Sequence, residues 1–197
     1  MNQITAVLYW ISTGLMVPVI VFLLYFFVNA LWQIGRFYGL YIQRKRLHRQ
    51  LNVSLDEMPL AEWLSRTAAL PETGSVLCRY IGLLQAAAGD AALQEKRLGD
   101  YEIEADRELG KSRLLVKIGP ILGLMGTLIP MGPALLGLAT GDVASMASNM
   151  QVAFATTVVG LIIGAVGFIT LQVRQRWVAD ELNLLEYVAE KLKGGLA

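Results

Sequence analysis

The chain has 197 residues, of which 55% are hydrophobic and only 17% charged, with a mean hydropathy of +0.50. Soluble domains carry about 25% charged residues, so this composition excludes a disordered chain and fits an ordinary soluble domain poorly. A formal net charge of +1 argues against a nucleic-acid binder, and a single cysteine and a single histidine exclude a disulfide framework and leave little for zinc chemistry or histidine-based catalysis.

The distribution of charge along the chain carries more than its total. The first charged residue is Arg36, so residues 1–35 are uncharged; two further uncharged runs, 118–141 and 143–173, are separated by Asp142 alone. A bilayer core about 30 Å thick needs roughly 20 apolar residues of helix. All three runs are long enough, and transmembrane helices are expected over 5–31, 117–138 and 151–173. The first run has no basic leader and exceeds the ~7–15 apolar residues of a signal peptide, which makes it a retained span.

Orientation follows from the basic residues. Segment 36–117 holds 13 of the 17, and segment 174–197 holds the other four. Positive residues accumulate on the cytoplasmic side. The expected layout is a first span (1–31) with its N-terminus outside, a cytoplasmic helical domain (32–114) and a second span (115–138). A short outside loop (139–150), a third span (151–173) and a cytoplasmic C-terminal helix (174–197) complete it. The fold class is all-α, a polytopic membrane protein whose spans extend into a helical cytoplasmic domain in the inner, cytoplasmic membrane. Trp32 and Lys117 sit where interfacial anchoring and snorkelling place such side chains.

Outside the spans the pattern is helical throughout. Residues 31–50 continue the first span, with Arg44, Lys45, Arg46 and Arg49 just past the headgroups. Pro59 suits a helix start and Pro71-Glu72-Thr73-Gly74 a break. Segment 90–117 runs without proline into the second span. Residues 174–193 form an amphipathic helix (Trp177, Leu182, Leu185, Val188, Leu192) that Gly194-Gly195 terminates. His48 reads as a solvated or headgroup-facing side chain, and Cys78 as buried packing.

The interiors of the second and third spans hold no ionisable residue. Such residues mark proton relays inside membranes, so a proton crossing here must be carried by a group on another polypeptide. The spans hold small residues and hydroxyls instead. Gly119, Gly123 and Gly126 share one side of the second span, and Thr156, Gly160, Gly164 and Gly167 one side of the third. Such faces allow close helix contact, either within the subunit or between subunits of a ring. Thr127, Thr156 and Thr157 are the polar side chains nearest mid-span. Pro130 and Pro133 remove the helical donors to the carbonyls of Gly126 and Ile129, producing either a plain kink or a polar pore lining. Gln151 and Asn149, near the outer end of the third span, are pore-mouth groups or interfacial caps.

Two stretches carry a resemblance. Gly119-Pro120-Ile121-Leu122-Gly123-Leu124-Met125-Gly126-Thr127 resembles the second-span pattern of the MotA/TolQ/ExbB proton-channel family. Ala153-Phe154-Ala155-Thr156-Thr157-Val158-Val159-Gly160-Leu161 resembles its third-span pattern. The resemblance implies a homopentamer whose second and third spans line a pore. It also implies a dimeric, single-span partner of ExbD, TolR or MotB type that supplies a membrane Asp, and an ion gradient (protons or sodium) converted to mechanical work or envelope transport. It implies Thr127 and Thr157 as pore-facing residues; Thr156 and Gln151, from their place in the third span, are lesser candidates, and no cofactor is expected. Two departures stand out. Val152 occupies the place of a glutamate in ExbB and TolQ proteins, and Pro130 and Pro133 interrupt the usual continuation after Gly126-Thr127. The rival reading is a non-conducting membrane scaffold or assembly subunit.

Overall fold

A computed structural model describes residues 3–57, 62–64 and 76–193, and every regular element among them is helical. The expected helix start at Pro59, the break at 71–74 and the stop at Gly194-Gly195 lie outside the described residues, as do the side chains of Arg44, Lys45, Arg46, His48 and Arg49.

Helix α1 (Gln3–Gly14) gives way at Leu15 to α2 (Met16–Glu57). The break is traceable to Pro18, which has no N–H for the Gly14 carbonyl. On either side of it the ladder continues: the Leu15 N–H donates to the Ile11 carbonyl and the Val19 N–H to the Leu15 carbonyl, both at 3.0 Å. The membrane-length part of α2 is Met16–Gly39, further along the chain than the 5–31 read from charge alone.

Helix α3 (Val76–Ala86) ends in a turn at Gly89, whose φ of 93° suits only glycine without strain. Asp90 then caps α4 (Ala91–Thr140): its Oδ1 accepts the Leu93 N–H at 3.0 Å. Helix α4 passes through Pro120, Pro130 and Pro133 without interruption. The next turn is much shorter than the loop expected over 139–150. Gly141 adopts φ 75°, Asp142 accepts the Ser145 N–H at 3.0 Å, and α5 (Val143–Lys193) begins at once. The correction follows from that capping: 143–150 is a first helical stretch, and only Gly141 and Asp142 connect the helices.

The chain divides into two compact units, residues 1–37 with 111–171, and residues 38–110 with 172–197. In the first, Leu23 and Ala30 of α2 pack with Leu115 of α4 and Ile163 of α5, joined by Phe26, Phe27, Leu122, Val159 and Val166. Many of its other apolar side chains face outward (Val21, Phe22, Leu128 and Phe168 are each more than half exposed), as expected of a surface that meets lipid. Met16–Gly39, α4 and α5 are each long and apolar enough to cross a membrane.

The second unit has an ordinary water-soluble core. Trp63, Leu64, Leu84, Tyr101, Leu185 and Val188 are buried together. Within it the Tyr101 hydroxyl donates to Glu181 at 2.6 Å, and the Tyr80 hydroxyl to Glu104 at 2.9 Å. Arg79 also binds Glu104. Burial, followed by the Glu104 carboxylate, pushes the Tyr80 phenol above its usual range, with Arg79 opposing. Cys78 is half-buried on α3.

Candidate functional site

The close approach of α4 and α5 is made by glycine. A Cβ on Gly119 would lie 2.7 Å from the Gly160 carbonyl oxygen, one on Gly160 2.6 Å from the Gly119 carbonyl oxygen, and one on Gly167 2.7 Å from the Val116 nitrogen. Gly123 faces Thr156 and Thr157, Gly126 faces the Thr156 side chain, and Gly164 faces Pro120. All six glycines singled out from the sequence therefore lie against the opposing helix of the same chain. Pro130 is fully buried and Pro133 half-buried.

This register places the threonines. A helix advances about 100° per residue, so the residues flanking the glycine stripe fall on opposite sides of the hairpin. On one side, Leu115 and Leu122 of α4 and Val159, Ile163 and Val166 of α5 join the cluster around Leu23 of α2. Thr127 on α4 and Thr157 on α5 fall on the other side of their stripes. In an antiparallel pair those equivalent flanks point the same way, so both threonines lie on the face that α2 leaves uncovered. Gly126 stands opposite Thr156, which puts Thr127 and Thr157 within about 3 Å of each other in height. Around them the face is apolar: Leu124, Met131, Phe154 and Leu161 are exposed.

The hydroxyls are held by their own helices. Thr127 Oγ1 donates to the Leu124 carbonyl at 2.7 Å, and Thr157 Oγ1 to the Ala153 carbonyl at 2.9 Å. Each keeps its lone pairs free to accept a hydrogen bond from the open face, and neither titrates. Thr156 differs. It is only 6% exposed, its hydroxyl lies within reach of the Val152 and Ala153 carbonyls (3.0 and 2.9 Å), and its side chain fills the space beside Gly126. Thr156 thus belongs to the helix interface. Gln151 is exposed six residues nearer the Asp142 turn than Thr157, and Asn149 donates to the Ser145 carbonyl at 2.9 Å.

One polar cluster was not singled out from the sequence. The Gln33 carboxamide on α2 donates to Ser112 Oγ on α4 at 2.7 Å and to Thr170 Oγ1 on α5 at 3.0 Å, where Ser112 and Thr170 are buried. Thr170 Oγ1 in turn lies 2.8 Å from the Val166 carbonyl. The signal was available: Gln33 and Thr170 are uncharged polar residues inside long uncharged runs, the criterion that selected Thr127. Interhelical hydrogen bonds in membranes are worth about 0.6–2 kcal/mol each. Gln33→Leu alone should lower the melting temperature of the purified protein, because it leaves Ser112 buried without that donor. The all-apolar variant Gln33→Leu/Ser112→Ala/Thr170→Val should recover most of the loss. A triple variant no more stable than Gln33→Leu would show that the cluster contributes through packing alone.

The architecture and this face define a class: an all-helical membrane protein whose closely packed hairpin offers hydroxyls, and no ionisable group, at mid-depth. The model of the MotA/TolQ/ExbB proton channel family matches residues 85–187, more than half of the chain and nearly all of α4 and α5. The protein belongs to that family, which is one of proton channels and not of enzymes. No curated protein matches the chain closely enough to count as a relative.

Proposed function

We propose that this chain is the pore-forming subunit of an ion-driven motor complex, with the uncovered face of α4 and α5 turned to the ion path. The observation that carries the reading is the pairing of Thr127 and Thr157 at one level on a face otherwise apolar. Charge placement supports a topology with the N-terminus and the Asp142 turn outside and the charged unit in the cytoplasm of the inner membrane. Several copies, five by resemblance to the family, surround an axis in this reading. A dimeric partner with one span brings the aspartate that this chain lacks. The two hydroxyls accept hydrogen bonds from water or from that protonated carboxyl, and the membrane potential supplies about 2.3 kcal/mol per charge per 100 mV. The ion is a proton, or sodium by the same geometry. Val152 in place of the ExbB glutamate leaves the partner as the sole titrating group.

Proton flux into proteoliposomes containing this chain and its partner tests the assignment. Losing one hydrogen bond of about 1 kcal/mol at the barrier slows passage roughly fivefold. Thr127→Val and Thr157→Val are each expected to show that reduction, and the pair a larger one, while Thr156→Val acts on stability. Flux unchanged in the double variant would take both threonines off the path. A complex that conducts nothing, with or without partner, would identify a scaffold instead.

A further inference from the structure

The first unit, residues 1–37 and 111–171, carries five charges. Four are cations, Arg36, Lys111, Arg113 and Lys117, and the fifth, Asp142, lies at the opposite end of α4. Asp142 is therefore separated from them by about the thickness of a bilayer core, and its carboxylate already caps α5. Arg36 and Lys111 are exposed and form no ion pair among the described residues. Glu108, one turn before Lys111, forms none either.

The Gln33 contact fixes how these cations lie. Because Gln33 Nε2 is 2.7 Å from Ser112 Oγ, α2 and α4 are in register at that level. Arg36 is three residues beyond Gln33, and Lys111 adjoins Ser112 on the antiparallel helix. Both guanidinium and ammonium therefore project from within about one helical turn of the same height. Both cations lie at one level of the apolar unit, and the acid nearest in sequence, Glu108, pairs with neither among the described residues, so their charge is open to an outside anion. Trp32, 69% exposed, stands one turn from Arg36 on the membrane-facing side of α2, where an indole marks the boundary between acyl chains and headgroups.

We propose that Arg36 and Lys111, with Trp32, form a binding site for the headgroup of an anionic phospholipid at the basic end of the apolar unit. The phosphate bridges the two cations, and the acyl chains run along the exposed side of α2 past Trp32. Lys117, further into the bilayer, reaches the same headgroup layer only by extending its chain and is not part of the site. The site is independent of the ion path, since it stands on residues outside the threonine-bearing face.

Retention of phosphatidylglycerol and phosphatidylcholine, both supplied in detergent and counted by native mass spectrometry, tests this. A juxtamembrane cation contributes about fivefold to anionic-lipid affinity. Wild type should retain phosphatidylglycerol preferentially, Arg36→Gln or Lys111→Gln should each cut the preference about fivefold, and the double variant should abolish it. The charge-preserving pair Arg36→Lys/Lys111→Arg should keep it, which separates loss of charge from loss of fold. Equal retention of both lipids by wild type, or an undiminished preference in the double glutamine variant, would overturn the site. Displacement of phosphatidylglycerol by millimolar inorganic phosphate would overturn the lipid assignment in favour of a free anion.

Discussion

Gly160→Leu is expected to stop α4 and α5 from closing on each other. The Cβ alone would lie 2.6 Å from the Gly119 carbonyl oxygen and 2.7 Å from Gly123 Cα. Both are backbone atoms of a helix, so no rotamer change relieves the contact and the helices must separate. Ordinary overpacking costs about 1–3 kcal/mol. A displacement that also opens the contacts of Gly119, Gly123 and Gly126 should exceed ~3 kcal/mol. Thermal unfolding in detergent, with protease access to the Gly141-Asp142 turn, measures it. The control is Gly132→Leu: a Cβ there meets nothing within 4 Å, and replacing a helical glycine should be neutral or stabilising by about 0.5–1 kcal/mol. Equal losses in the two variants would mean that bulk added anywhere on the hairpin, and not close approach at Gly160, sets the effect. The same geometry bears on assembly, because a hairpin that cannot close cannot present Thr127 and Thr157 at one level.

Leu185→Ala is expected to destabilise the second unit by about 2–5 kcal/mol. Leu185 is fully buried among Trp63, Tyr101, Val188 and Leu84, and removing its branched end leaves a cavity that rigid neighbours on α3, α4 and α5 cannot fill. Leu182, only partly buried at the edge of the same cluster, should cost less than half as much when truncated. Tryptophan fluorescence during chemical unfolding, in a background with Trp10, Trp32 and Trp177 replaced by Phe so that Trp63 alone emits, reads the change where it occurs. Equal costs at Leu182 and Leu185 would show that the cluster is fluid and not packed.

Much of the architecture was legible because hydropathy and charge are properties of the chain in one dimension. Three uncharged runs longer than a bilayer is thick can be recognised without knowing their neighbours, and the short family motifs lie inside two of them. The ends of elements were harder to place. Whether 143–150 is loop or helix depends on Asp142 turning its carboxylate onto the Ser145 N–H, and the start of α2 depends on how Pro18 interrupts its ladder. Both are local bonding choices that a run of apolar residues does not display. Spacing pointed to the glycine stripes as contact faces, yet left open whether they meet a helix of the same subunit or of another. A Cβ on Gly119, Gly160 or Gly167 would lie 2.6–2.7 Å from the opposing backbone, which answers for α4 and α5 of one chain.

The amino-acid sequence by itself determined that the protein is helical, that three stretches can span a membrane, and that their hairpin cores lack any group able to carry a proton. Those are consequences of composition, since no folding can add a carboxylate where none is encoded. Only the tertiary structure decided which hydroxyls share an open face. Thr156 and Thr157 are adjacent in sequence, but a 100° step buries the first against Gly126 and leaves the second on the side that α2 does not cover. That side is defined by where α2 docks, through Leu23, Ala30 and the reach of Gln33 to Ser112 and Thr170, partners 79 and 137 residues away. Contacts over such separations depend on helices already packed, so no local pattern contains them.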